Sequence, residues 1–186
     1  MPASYSNVLP FAAATPQYED VRNPVTSLSP GATPADPIVY GPSGAVRILG
    51  FDGTATTEDT DLTCQLPNSY LEGSDIVPHI HWCPTTNDAG DVKWQLSYYW
   101  QNEEETIPAE VTISVVAAAG GTAWKHQRTD FAAISGAGKK IGSMLMCRLF
   151  RIPTDGADTY AHDAGLLEMD FRILIDSAGS RQPEVK

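Results

Sequence analysis

The sequence predicts an all-β protein: a jelly-roll-like, two-sheet β-sandwich with an extended N-terminal arm. Residues 166–181 alternate apolar and charged side chains with a period of two, which is typical of a strand with one buried face. About eight such segments follow one another, separated by turns rich in glycine, proline, asparagine and aspartate. Since no segment of adequate length shows a helical period, a sandwich or barrel is favoured.

Length and composition limit the function classes. A chain of 186 residues and 20.0 kDa is expected to form one domain plus an appendage. The net charge of −11 and the absence of a basic stripe disfavour nucleic acid as a partner. No apolar run reaches the 18 residues of a membrane span, and no basic and apolar leader predicts a signal peptide. We therefore expect synthesis in the cytoplasm and no membrane partner.

Residues 1–44 are expected to form the arm. They contain eight of the 14 prolines, which disfavour a helix or a central strand. Apolar anchors lie between the prolines, and a disordered tail usually lacks such residues. We predict that this segment lies extended along a neighbouring subunit; the alternative is a flexible tail.

Residues 45–186 are expected to form the sandwich. Strands are predicted at residues 45–51, 62–66, 76–83, 92–101, 110–117, 125–134, 143–152 and 166–181. Residues 84–90 have the composition of a hairpin loop, which predicts that the strands on either side of it pair. In the last strand Leu167, Met169 and Phe171 are expected to point inward.

Two histidines and a cysteine share one face of the third predicted strand. His79 and His81 are about 7 Å apart by strand rise, and Cys83 follows on the same face. A cupin-like metal site is one hypothesis, but it requires a carboxylate shortly downstream, which is absent, and a later histidine, for which His126 or His162 is available. The favoured interpretation is polar or interface histidines, with no metal, no cofactor and no catalytic residue.

The three cysteines, Cys64, Cys83 and Cys147, lie in or beside apolar runs. They are odd in number and lack the spacing of a disulfide framework. We therefore predict buried free thiols.

Charged side chains also occur within the strands. Unpaired charges on a strand buried on both faces would be costly, so they either face solvent or pair across a subunit boundary. Together with the aromatic residues and the anchors of the arm, they form the predicted assembly surface: Tyr5, Leu9, Phe11, Tyr18, Val21, Arg22, Tyr99, Trp100, Arg148, Arg151, Asp170 and Arg172.

A series of short motifs carries a family resemblance. They are Tyr18-Glu-Asp-Val-Arg22, Gln65-Leu-Pro-Asn-Ser-Tyr70 with Glu72-Gly73, Pro78-His-Ile-His-Trp82, Val92-x-Trp94 with Tyr98, Leu149-Phe-Arg151, and Asp170 to Arg181 with its closing Gly179-Ser-Arg181. In this combination the chain resembles a family of small structural proteins of tailed-bacteriophage virions. The resemblance implies a β-sandwich that assembles on the virion, as a head decoration protein or as a collar or fibre component. It also implies a trimer and no enzymatic activity.

The favoured hypothesis is a capsid decoration or cement protein on the outer surface of the virion. It would form a homotrimer and latch onto neighbouring subunits, the major capsid protein or other virion proteins with its arm, through buried apolar area. A collar or tail-fibre component that binds a host receptor is the alternative. A cupin-like metal-binding protein using His79 and His81 is the second alternative.

Overall fold

The computed structural model describes residues 15–180, which form two antiparallel sheets packed face to face. This confirms the predicted two-sheet β-sandwich. The strands are β1 (Gln17–Pro24), β2 (Ser29–Pro30), β3 (Asp36–Val39), β4 (Arg47–Phe51), β5 (Asp59–Gln65), β6 (Val77–Pro84), β7 (Asp91–Gln101), β8 (Val111–Ala118), β9 (Gln127–Asp130), β10 (Met144–Arg151) and β11 (Ala164–Ile175), and a 3₁₀ turn covers Val25–Ser27. No helix within residues 15–180 is long and apolar enough to cross a membrane.

The longest strand, β11, organises the first sheet, which we call sheet A. Its order is β3-β4-β11-β6-β9. On one side β11 pairs with β6; on the other side it pairs first with β4 and then with β1. The second sheet, sheet B, has the order β2-β5-β10-β7-β8.

The predicted hairpin between β6 and β7 is wrong, because the two strands belong to opposite sheets. The polar connection between them crosses from one sheet to the other, and its turn composition is compatible with either path. In the core, Trp82 of β6 packs edge-on against Trp94 of β7, with ring centroids 5.8 Å apart. The chain thus switches sheets at this connection and buries a large aromatic residue on each side of it.

The predicted boundary at residue 44 is also wrong, because residues 17–39 contribute strands to both sheets. β1 pairs with β11 along its whole length, β2 pairs with β5, and β3 pairs with β4. Their prolines are tolerated because β1, β2 and β3 lie at sheet edges or are very short, where a missing N–H breaks no ladder. The predicted contacts of Tyr5, Leu9 and Phe11 lie outside the described residues.

The core follows the predicted alternation in β7 and departs from it in β11. Trp94 and Leu96 are fully buried, as expected for the inward face of β7. In β11 the register shifts between Leu166 and Glu168, which is a β-bulge. Leu166 therefore joins the core, whereas Leu167, predicted to point inward, is only half-buried.

The cysteines are free and buried, as predicted. Burial raises the pKa of Cys64 to about 12 and that of Cys83 to about 11, and it also raises the pKa of Cys147. All three thiols therefore stay protonated at neutral pH, which makes them poor nucleophiles.

Arg151 is fully buried at one end of the sandwich, where it joins several segments of the chain. Its guanidinium donates two hydrogen bonds to Asp158, at 3.0 and 2.9 Å, and others to the carbonyl oxygens of Phe51, Tyr160 and His162. The prediction that Arg151 faces a neighbouring subunit is wrong, since every one of these partners belongs to its own chain.

Candidate functional site

The outer face of sheet A carries polar side chains in rows that run across the strands. One row places Asp170 of β11 directly opposite His79 of β6, and the next places Glu168 opposite His81. Strand β9 extends both rows, with Asp130 opposite His79. The antiparallel register therefore brings two histidines of β6 to the carboxylates of β11.

Three of these side chains form a compact cluster: His79, His81 and Asp170. The Nε2 atoms of both histidines lie 3.5 Å from Oδ2 of Asp170. One potential ligand atom from each residue lies within 4.8 Å of the other two. His79 and Asp170 are buried and His81 is half-buried, so the cluster opens to solvent only on the His81 side.

Groups around the cluster hold it in place. Oδ1 of Asp170 accepts a hydrogen bond from the backbone N–H of Asn23 in β1 at 3.3 Å, which leaves Oδ2 facing the histidines. Nδ1 of His81 lies 2.7 Å from Nε2 of His126, which precedes β9. Nδ1 of His79 is 3.5 Å from the carbonyl oxygen of Val77, and its Nε2 makes no hydrogen bond despite lying 3.5 Å from Oδ2 of Asp170.

Burial sets the protonation of the cluster. Desolvation, together with the charge of Glu168, raises the pKa of Asp170 to about 6. Desolvation, together with the charge of Arg128, lowers the pKa of His79, and desolvation with the neighbouring His126 lowers that of His81. At neutral pH the two imidazoles are therefore neutral, which is the form that can bind a metal ion.

Cys83 is not part of the cluster. It pairs with Gly165 in the β6–β11 ladder, and a side chain added at Gly165 would meet both the Cys83 sulfur and Ile48. Cys83 is therefore buried in a small apolar patch farther along β6, so its prediction as a metal candidate is wrong. His162 lies elsewhere too, with its Nε2 2.7 Å from Asp88.

Three arginines of the two outer faces pair with carboxylates of the same chain. Arg22 donates two hydrogen bonds to Glu168, and Arg172 donates two to Asp20. On sheet B, Arg148 pairs with the buried Asp59. These arginines thus have carboxylate partners within their own chain, and pairing across a subunit boundary stays a prediction.

The predicted assembly residues divide into buried and exposed groups. Trp100 and Asp170 are buried, and Trp100 donates its indole N–H to Ser143 at 3.0 Å. The prediction that Trp100 and Asp170 contact a partner is wrong because, as for Arg151, each side chain is buried within its own chain. Val21 packs partly against the core. Tyr18, 71% exposed, and the half-buried Tyr99 remain candidates for contact with a partner.

Sheet B has an open strand edge that the sequence patterns did not predict. Strand β8 is the last strand of this sheet, and within residues 15–180 no strand pairs with its outer edge. Its sequence, VTISVVAA, contains no charge and no proline. Val111 and Val116 are 44% and 45% exposed. An uncharged edge strand of eight residues lacks the usual devices that prevent pairing with another chain.

A shallow groove lies on the outer face of the same sheet. It has a volume of about 680 Å³, and its lining includes Asp61, Ser97, Tyr99, Met146 and Arg148. It combines one aromatic ring with charged and hydroxyl groups, an arrangement that can contact a polar ligand.

The positions of these sites depend on pairing between distant strands, which the local sequence pattern does not specify. His79 and His81 were recognisable from their spacing, but Asp170 is 89 residues beyond His81 and reaches the pair only through the β6–β11 register. The open edge of β8 follows from the order of strands in the sheet. Its lack of charges was the one signal visible in the sequence.

No protein-family model and no curated protein matches the chain. Among solved structures, the isomalto-dextranase of Arthrobacter globiformis T6 is 10% identical with a TM-score of 0.48, covering 82% of this chain and 23% of that one. The CBM36-1 domain of a multidomain xylanase from the hindgut metagenome of Trinervitermes trinervoides is 10% identical with a TM-score of 0.44, covering 88% and 100%. A family 35 carbohydrate-binding module from Clostridium thermocellum is 6% identical with a TM-score of 0.43, covering 82% and 97%. The chain thus spans about a quarter of the first of these proteins, and at such identities the likeness is one of fold alone.

Proposed function

We propose that the chain is a non-enzymatic structural protein of a tailed-bacteriophage virion, a capsid decoration protein that assembles as a homotrimer on the outer surface of the particle. The observation that carries the assembly role is the open, uncharged edge of β8. The assignment to a virion is based on the resemblance of the sequence motifs to the phage family. The acidic net charge of −11 suits a surface that does not bind DNA.

The occupant of the β8 edge in this proposal is the N-terminal segment of a neighbouring copy. Residues 3–9, Ala-Ser-Tyr-Ser-Asn-Val-Leu, are free of proline and are bounded by Pro2 and Pro10. This run of seven residues is one shorter than β8, which has eight. Such an added strand would bond to the free N–H and C=O groups of the edge and alternate its side chains across the two faces.

An arm that binds the edge of the next copy makes a heterologous contact, and such contacts close into a ring when the rotation allows it. A trimer is one such ring. Each backbone hydrogen bond gained would contribute about 1 kcal/mol, and coverage of exposed residues such as Val116 would add to this. The arm in this proposal is limited to residues 1–14 of the predicted 1–44, because β1 to β3 are part of the sandwich itself.

The test removes each half of the contact separately. Deletion of residues 2–14 removes the arm and leaves in place every strand described within residues 15–180, whereas Val116→Lys places a charge on the edge strand. Both variants are expected to be folded monomers by light scattering coupled to size-exclusion chromatography, where the unaltered protein is a trimer. Val46→Lys is the matched control, because Val46 is 66% exposed outside any strand and its substitution should leave the trimer intact.

Particle binding completes the experiment. Variants that do not assemble should coat capsids at least tenfold more weakly, since the contacts act together. The proposal is overturned if the unaltered protein is a monomer, or if the arm-deleted protein assembles and coats particles as well as the full chain does.

The groove of sheet B favours a second candidate, a collar or fibre component that binds a host receptor. Here Tyr99 and Arg148 would contact a surface glycan of the host. Tyr99→Ala should then abolish binding to host cells without changing the mass of the oligomer. Immunogold labels at the neck or tail would support this candidate, and labels over the whole head would contradict it.

A further inference from the structure

His79 carries a buried ring nitrogen that makes no hydrogen bond. Its side chain is fully buried, and its Nε2 atom points into the His81–Asp170 cluster without a hydrogen-bond partner. A buried polar atom without a partner costs free energy, so a native structure usually supplies one. The cluster is therefore complete only when a further group lies between its three side chains.

The spacing of the cluster fits a metal ion. Two ligand atoms bound to a tetrahedral zinc ion lie about 3.4 Å apart, since the bond lengths are about 2.0–2.2 Å. Both histidine Nε2 atoms are 3.5 Å from Oδ2 of Asp170. The third separation, between the ligand atoms of the two histidines, is at most 4.8 Å, so the half-buried His81 ring would have to turn toward the ion on binding.

The donor set narrows the choice of ion. Two neutral imidazoles and one carboxylate suit zinc and its neighbours in the first transition row, whereas magnesium and calcium prefer oxygen ligands alone. The nearby arginines are partly neutralised, because Arg22 is paired with Glu168 and Arg128 with Asp130, although the charge of Arg128 still acts on His79. Solvent on the His81 side can supply the fourth ligand.

The groups that orient the ligands are already in position. His126 lies 2.7 Å from Nδ1 of His81, so that a proton shared between the two rings leaves Nε2 of His81 free for the ion. The backbone N–H of Asn23 holds the far oxygen of Asp170. Three strands, β1, β6 and β11, therefore meet at this point.

We propose that His79, His81 and Asp170 bind one divalent transition-metal ion, zinc in the first instance, with His126 positioning His81. The ion would connect β6 to β11 and have a structural role. The inference uses residues different from those of the β8 edge, so either proposal can fail without the other.

The test titrates Zn²⁺ into the full-length protein, prepared without a histidine tag and stripped with a chelator. Calorimetry should show one ion per chain, and Co²⁺ should give the visible absorption of a tetrahedral site. X-ray absorption of the zinc form should show two imidazole nitrogens. His81→Gln and Asp170→Asn should each weaken binding by at least a hundredfold, and His126→Ala by tenfold to a hundredfold.

His162→Ala is the matched control, because His162 also lies against an aspartate, Asp88, but has no second histidine in its cluster. It should bind Zn²⁺ as the unaltered protein does. If His81→Gln or Asp170→Asn were to unfold, the absorption spectrum of the unaltered protein would still decide the ligand set. Absence of stoichiometric binding, equal binding by His81→Gln, or a spectrum without two imidazoles would overturn the proposal.

Discussion

Two arginine–carboxylate pairs of this protein have nearly the same geometry and different surroundings. Arg151 meets Asp158 at the end of the sandwich through two hydrogen bonds of 3.0 and 2.9 Å. Arg172 meets Asp20 on the outer face of sheet A through two of 3.0 and 3.2 Å. The side chains of the first pair are 0% and 1% exposed, and those of the second are 30% and 33% exposed.

The difference indicates that burial, more than hydrogen-bond geometry, determines how much an ion pair contributes to the stability of this fold. Arg151 also serves three carbonyl oxygens, so its removal would leave several buried groups without partners. Arg172 can exchange its carboxylate for water at little cost. The buried pair therefore holds the sandwich together, and the exposed pair neutralises a surface.

The largest effect expected from this comparison is that of Arg151→Met. The substitution leaves the carboxylate of Asp158 buried with only the backbone N–H of Lys93 as a close donor. We expect the free energy of unfolding to fall by about 3–5 kcal/mol, the usual cost of breaking a buried pair. Urea denaturation, monitored by tryptophan fluorescence, measures this loss.

Arg172→Met is the matched control for that measurement, with an expected loss of at most about 1 kcal/mol. Equal losses for the two variants would mean that the surroundings of the pairs do not separate them. A loss below about 1 kcal/mol for Arg151→Met would contradict the structural role assigned to its end of the sandwich.

The fold could be predicted from the sequence where local pattern decides it. The alternation of Trp94 and Leu96 with polar neighbours placed β7 correctly, because strand periodicity is a property of adjacent residues. Local pattern did not place residues 17–39, whose prolines exclude a central strand but permit an edge strand. It also did not reveal the bulge beside Leu167, which depends on the partner strand.

Only part of the candidate site could be predicted, because local spacing places the two histidines but not Asp170. His79 and His81 share a face in any strand, so their proximity follows from the spacing alone. The third member, Asp170, was assigned to an assembly surface because its charge suggested exposure, and only the antiparallel register turns it toward the histidines. The contact of Asp170 with the histidines depends on which distant strands pair and in which register, and this cannot be deduced from a single sequence.

A smaller effect on stability is expected from the different surroundings of two aspartates of sheet A, Asp170 and Asp20. Asp170 is buried without a cation in contact, and its pKa is raised to about 6 by desolvation and by Glu168. Desolvation acts on Asp20 as well, but the hydrogen bond from Arg172 and the charge of His79 outweigh it and lower the pKa of Asp20. The two carboxyl groups should therefore affect stability over different pH ranges.

For Asp170 the folded-state pKa lies above the unfolded value near 3.8, so folding favours the protonated acid. This contribution is fully present below pH 3.8 and is lost as the pH rises through about 6. Asp170→Asn cannot ionise, so in the presence of a chelator its stability relative to the unaltered protein should rise by about 2.5 kcal/mol between pH 4 and pH 7.5, at about 1.4 kcal/mol per pKa unit. Asp20→Asn should show a nearly constant difference over that range, because the lowered pKa of Asp20 confines its contribution to change below pH 3.8. Urea denaturation at five pH values measures both differences, and a flat curve for Asp170→Asn would show that burial does not hold this carboxyl group in its acid form.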